Sequence, residues 1–274
     1  MARPRGRGRA AAGLLGLLAA ALLVPVPCPA GEAGRELAQR VYDRPDGRDV
    51  TLRARMVLQD PGRPPRTRTL FSYRLDLGEG EVRSLVRFVR PADIDGVGLL
   101  TRDHRGASAD QWLYLPALGK VRRIAGERRG GRFVGSDLFF EDLREREPGL
   151  DRHRLRGEAE IAGTRAKVLV SVPVDPASST YSKRILWIHP QALIPLRVDF
   201  FRAGREAPIK RLRVHRIERI GGYWTVMDST MTDLRSSHRT RIRVKSVVYD
   251  RGLPRSLFSR RVLADPERER GYRP

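Results

Sequence analysis

Cysteine is nearly missing from this sequence: among 274 residues only Cys28 carries a thiol. A disulfide framework is thereby excluded, and the fold must rest on its core and its backbone pairing. The five histidines, at positions 104, 153, 189, 215 and 238, form no His-x-x-x-His pair and have no cysteine partner, so no metal-site pattern is present. Ser136 sits in Gly135-Ser136-Asp137, but the Gly-x-Ser-x-Gly elbow of a nucleophile is absent, as is any phosphate-binding glycine loop. Asp93 and Asp95 stand two apart around a turn, and alternate positions of an extended chain face opposite ways, which argues against an acid and base pair. With no nucleophile, base and orienter to assemble, the chain reads as a non-enzyme without a cofactor.

Long hydrophobic runs are also lacking, with one exception at the start. Arg3, Arg5, Arg7 and Arg9 precede an apolar stretch from Ala10 to Val24, which Pro25, Pro27 and Pro29 interrupt before it reaches the ~20 residues a membrane helix needs. Residues 1–30 therefore read as a cleaved secretory signal peptide. Cys28 raises lipoprotein acylation as an alternative, but Pro27 stands where that signal wants a small residue; cleavage after Ala30 fits better. The formal charge of +22 falls to +18 once residues 1–30, with four arginines and no acids, are removed. Only five of the 54 basic residues are lysine, a bias that codon usage produces, and export excludes nucleic acid as a partner. The charge reads chiefly as solvated strand faces, with a screened, nonspecific attraction to anionic head groups.

What is abundant is alternation. Residues 32–43 carry Leu37 and Val41 four apart and end at Arg44-Pro45-Asp46-Gly47, predicting a short amphipathic helix. From Asp49 the period becomes two: Leu52, Ala54, Met56 and Leu58 share one face against Thr51, Arg53 and Arg55, and Val82, Ser84, Val86 and Phe88 share one against Arg83 and Arg87. With 69–77 and 111–116, and with 166–172, 183–189, 196–202, 210–217, 224–234 and 238–249, this predicts about ten strands joined by short turns, an antiparallel meander. Residues 126–149 are aperiodic yet rich in Phe133, Phe139 and Phe140, and read as a packed plug. Residues 31–265 are expected to form one domain, and the charged stretch 266–274 a frayed tail.

Three clusters carry a family resemblance: RFVRPADIDGVGLLT at 87–101; QWLYLPAL at 111–118 with VRRI at 121–124; and FVGSD at 133–137 with EDL at 141–143. In order and spacing they resemble the outer membrane lipoprotein-sorting, LolA-like family. The resemblance implies a mainly β (α+β) fold: a curved antiparallel sheet forming an unclosed β-barrel, with an N-terminal helix and a plug or lid segment over a hydrophobic cavity.

It also implies a periplasmic carrier or chaperone, monomeric, that sequesters acyl chains of a lipoprotein or lipid for transfer toward the outer membrane. A membrane transporter would be the donor or an outer-membrane protein the acceptor. A sensor or transporter-accessory domain using the same cavity is the alternative. Candidate cavity-lining residues are Phe88, Leu99, Trp112, Tyr114, Phe133, Phe139 and Trp187, the bland reading being ordinary core. Arg122, Arg123 and Asp137 are candidates for head-group binding or for ion pairs holding the plug, with Glu141 and Asp142 as further carboxylate partners.

Overall fold

The computed structural model describes residues 29–106 and 109–274; the basic start, the apolar run and Cys28 lie outside the described residues. After helix α1 (Pro29–Tyr42) come thirteen strands: β1 (Asp49–Gln59), β2 (Arg66–Asp76), β3 (Val82–Arg90), β4 (Gly98–Asp103), β5 (Asp110–Leu115), β6 (Lys120–Arg123), β7 (Asp151–Ile161), β8 (Thr164–Pro173), β9 (Lys183–Ile188), β10 (Pro195–Phe201), β11 (Lys210–Ile220), β12 (Tyr223–Asp233) and β13 (Arg239–Tyr249). They form one antiparallel sheet ordered β6-β5-β4-β3-β2-β1-β13-β12-β11-β10-β9-β8-β7, in which the end strands β6 and β7 do not pair, so the barrel is unclosed. A short helix α2 (Arg260–Ala264) and a 3-10 turn, Pro266–Tyr272, follow the sheet.

The alternation read from the sequence gives the faces. Ala54, Met56 and Leu58 of β1 join Leu70, Phe88 and Leu99 in a core on the face that carries the plug, here the inner face. On the outer face Phe71, Tyr73, Leu75, Leu85 and Leu100 form a second core, covered by Leu253, Leu257, Phe258, Val262 and Leu263 from beyond β13. Strands β2 to β4 are therefore buried on both sides, which is why β4 reads as a continuous apolar step with no alternation. Three strands escaped the sequence reading: β4 for that reason, β6 because it is four residues long, and β7 because its edge position and exposed face leave it almost entirely polar.

Two expectations fail on one interaction. Arg87 does not lie on a solvated face, and residues 266–274 do not fray. Arg87 and Glu269 are both fully buried and face each other at 3.1 Å. The rest of the guanidinium donates to Gly96 O at 2.6 Å, Val262 O at 3.1 Å and Leu263 O at 2.9 Å. Every side of the planar fork is used, so the arginine clamps the C-terminal segment to β3. Gly98 makes the room: a Cβ there would stand 2.8 Å from Arg87 Nη1 and 2.9 Å from Leu263 Cδ1. Asp49 starts the same segment, accepting from the backbone N–H groups of Arg251, Gly252 and Leu253.

Helix α1 buries Leu37 and Ala38 against Leu169 and Ile188. Gly34 permits this approach, since a Cβ there would lie 2.8 Å from the Arg154 backbone.

Removing one member of the buried Arg87–Glu269 pair strands the other. Glu269→Leu is expected to lower stability by about 3 to 5 kcal/mol in urea unfolding, with Arg87→Met/Glu269→Leu recovering most of it. A double variant no more stable than the single one would show that the pair does not carry the clamp.

Candidate functional site

Because β6 and β7 lie at opposite ends of the sheet, the connection between them, residues 124–150, must cross from edge to edge, and it does so over the inner face. It is the plug expected from the sequence. Its aromatic anchors stack inward: Phe133 lies 5.6 Å from Phe88 and 6.0 Å from Phe140, and Phe139 stacks on Tyr181 at 5.9 Å.

Charged latches fix it along its length. Arg132 meets Asp233 at 2.7 Å; Asp137 accepts from Thr240 Oγ1 at 2.8 Å and pairs with His238 at 2.6 Å; Glu141 meets Arg184 at 2.6 Å; Arg146 meets Asp151 at 2.8 Å. Asp142 is held by Lys210 at 2.5 Å and by the Tyr181 hydroxyl at 2.7 Å, and Glu145 pairs with Arg74. Lys210 is fully buried, with its ammonium 3.6 Å above the Phe139 ring; burial lowers its pKa, partly offset by Asp142. Burial pushes the Glu141 carboxyl up, but Arg184, the Ser179 hydroxyl and the Thr180 N–H outweigh it and leave it below its usual range.

Under the plug lies a cavity of about 520 Å³. Its apolar floor comes from inward-facing residues of the second half of the sheet: Leu169, Leu186, Val198, Phe200, Leu212 and Met231. Ala38, Val41 and Tyr42 of α1 close one side, and Arg144, Glu145, Arg146 and Glu147 of the plug form a charged rim. A volume of this order suits one small or extended apolar ligand with its polar end at the rim. A second recess of about 790 Å³, around residues 44–48, 75–78, Tyr223 and Arg255, is walled mainly by turn and charged residues.

None of the seven candidate lining residues lines that cavity. Phe88, Leu99, Phe133 and Phe139 are packed in the inner core beside it. Trp112 and Tyr114 lie on the opposite face, packed against the outer core, where Arg102 and Arg260 approach the indole. Trp187 also points outward, beneath Arg197 at 4.1 Å, while its neighbour Leu186 faces the cavity. Strand parity was the available signal: Val198 and Phe200 alternate in a run already recognised as a strand, and choosing the largest aromatics passed over them.

The expected ion pairs also redistribute. Arg123 pairs with Asp110, not with the plug, and Arg122 has no carboxylate partner among the described residues. Asp137 meets His238 and Thr240 from the second half of the chain, and Arg132 within the plug. Closeness in sequence misled here because the partners of Glu141 and Asp142 come from strands β9 and β11, in the half of the sheet opposite to β6.

A family model described as an uncharacterized protein matches residues 80–265. Among solved structures, a putative outer membrane lipoprotein-sorting protein domain from Vibrio parahaemolyticus is 28% identical, with a TM-score of 0.81 over 85% of this chain and 99% of that one. A DUF1329 family protein from Desulfovibrio piger is 30% identical, with the same TM-score and coverage. The chain belongs to the same family as this DUF1329 protein, and it has the fold of the outer membrane lipoprotein-sorting, LolA-like proteins. A LolA superfamily protein from Nitrosomonas europaea, 19% identical over 85% of this chain and 98% of that one with a TM-score of 0.64, shares the LolA-like fold. No curated protein matches the sequence. Among the described residues no helix is long and apolar enough to cross a membrane.

One latch of this LolA-like plug carries a pH signature. Asp103, at the end of β4, accepts from the Glu145 N–H at 3.1 Å, while Arg144 stands 3.6 Å away without a hydrogen bond. Burial therefore pushes the Asp103 carboxyl up to about 6. A folded value above the unfolded one favours the protonated form, so this contribution to stability is fully present below about pH 4 and is lost as the pH rises through 6. Asp103→Asn is expected to match the parent near pH 4 and to exceed it by up to about 3 kcal/mol at pH 8, measured by urea unfolding at each pH. Equal stability at both pH values would refute this assignment.

Proposed function

We propose that the protein is a periplasmic carrier or chaperone that sequesters an acyl chain of a lipoprotein or lipid in the cavity beneath the plug, for transfer toward the outer membrane. The observation that supports this most is the cavity itself, with its apolar floor and charged rim on the inner face of a LolA-like sheet. Each methylene moved from water to such a floor contributes about 0.8 kcal/mol, so a chain of ten contributes about 8 kcal/mol with no polar contact at all. The polar end of the ligand would lie among Arg144, Glu145, Arg146 and Glu147. No bond is made or broken in this scheme; the protein acts by reversible burial, not as an enzyme.

The latches support a division of labour. The plug, held by pairs that are costly to break one partner at a time, stays docked, whereas α1 buries little beyond Leu37 and Ala38. Ligand then enters and leaves by displacement of α1. Residues 1–30 act as the export signal, the released chain works as a monomer, and an inner-membrane transporter or outer-membrane acceptor completes the exchange.

Native mass spectrometry with lipid extraction, on protein purified gently from its own cell envelope, tests the reading. About one phospholipid or acylated peptide per chain is expected, and Leu212→Trp/Met231→Trp, which fills the floor, should abolish it while leaving far-UV circular dichroism unchanged. An empty parent that also fails to take up a fluorescent fatty acid would overturn the carrier reading and favour a sensor domain.

A further inference from the structure

The outer face of the sheet is divided in two. Over β2 to β4 it is apolar and covered by the chain's own C-terminal segment. Over β10 to β13 and the later half of β1 it is not covered by that segment, and the strand register places a grid of arginines on it. Along one row Arg197 of β10 pairs with Arg213 of β11, then Thr230, Arg241 and Val57; along the next Asp199 pairs with Arg211, then Thr232, Arg239 and Gln59; along a third Asp228 pairs with Arg243 and Arg55. Seven arginines thus face two aspartates. Asp199 is shared by Arg197 and Arg211, and Asp228 by Arg241 and Arg243. Arg55, Arg213 and Arg239 have no carboxylate partner among the described residues, and all three side chains are exposed.

We propose that this face docks the protein on an anionic phospholipid surface. Guanidinium groups fit phosphate oxygens two at a time, and a grid set by strand spacing, about 4.8 Å across and 7 Å along, presents them in two dimensions. That suits phosphates displayed on a plane better than one small anion. None of these grid positions holds an aromatic residue, and the neighbouring Trp187 is already covered by Arg197 at 4.1 Å, which leaves no row of free rings for bases as a single-strand nucleic-acid platform has. At its rim Leu234 is 39% exposed beside Arg239, an apolar side chain placed to enter the head-group layer. The cavity opens on the other face of the sheet, so membrane docking and access to the cavity do not compete, and this inference stands apart from the carrier reading.

The test is co-sedimentation of the purified protein with vesicles of phosphatidylcholine containing one quarter phosphatidylglycerol, and with vesicles of phosphatidylcholine alone. Binding is expected only to the anionic vesicles, and is expected to fall as salt shortens the screening length. Arg55→Gln/Arg213→Gln/Arg239→Gln should weaken it by at least about tenfold. Arg152→Gln/Arg154→Gln/Arg156→Gln, which removes the same charge from exposed positions on β7, should leave it within about twofold of the parent. Because none of these six arginines forms an ion pair among the described residues, both variants should keep the parent's urea midpoint. Equal loss in the two variants would reduce the effect to net charge and overturn the docking face. So would sedimentation with neither vesicle, or release of bound protein by a stoichiometric amount of an acidic polypeptide.

Discussion

One long connection governs this molecule. The two halves of the sheet meet at β1 and β13 in its middle, which sends β6 and β7 to opposite ends and obliges residues 124–150 to span the inner face between them. A segment in that position must satisfy its own backbone and charges away from most of the solvent, and the plug does so with pairs drawn from both halves: Asp103 and Arg74 from the first, Arg184, Lys210, Asp233 and His238 from the second. The plug's Phe133 packs on Phe88 of β3 and its Phe139 on Tyr181 beneath Lys210 of β11, and the cavity is the space left between the plug, α1 and the floor over β8 to β12.

The outer face follows a different logic. Arg87 is a charge buried in an otherwise apolar layer, and such a group is tolerable only when every donor finds a partner. Gly96, Val262, Leu263 and Glu269 supply those partners from two segments, so the cost of burying the guanidinium is offset only when the C-terminal segment is in place. That dependence makes the segment part of the sheet's architecture and leaves the neighbouring arginine-rich strands as the uncovered part of that face.

Much of the architecture was legible in the sequence, and the losses have physical reasons. The alternation in β1 and β8 to β13 follows from one buried face, and the aperiodic aromatic stretch from a segment that packs without pairing. Strand β7 was illegible because an exposed edge strand need not carry apolar residues. Arg87 was misread because alternation marks which residues share a face but not whether a later segment covers it. The site was less legible than the fold: Trp112 and Trp187 are large and conspicuous, yet parity sends them outward, while modest residues such as Leu186, Leu212 and Met231 form the floor. The partners of Glu141 and Asp142, from 38 to 68 residues downstream, are fixed by strand order, which local spacing does not reveal.

The pairing of β1 with β13, Arg53 opposite Ser246, has a consequence for how the chain is made. A polypeptide that emerges N-terminus first completes β1 nearly two hundred residues before its partner is synthesised. Until then the meander from β1 to β6 offers the bare edge of β1, an eleven-residue strand with an apolar inner face, to any extended chain nearby. Closure of so distant a contact is slow. The nascent protein therefore passes through a stage in which strand-capping chaperones, or a crowded supply of its own siblings, compete with its last strand for the same row of amides and carbonyls.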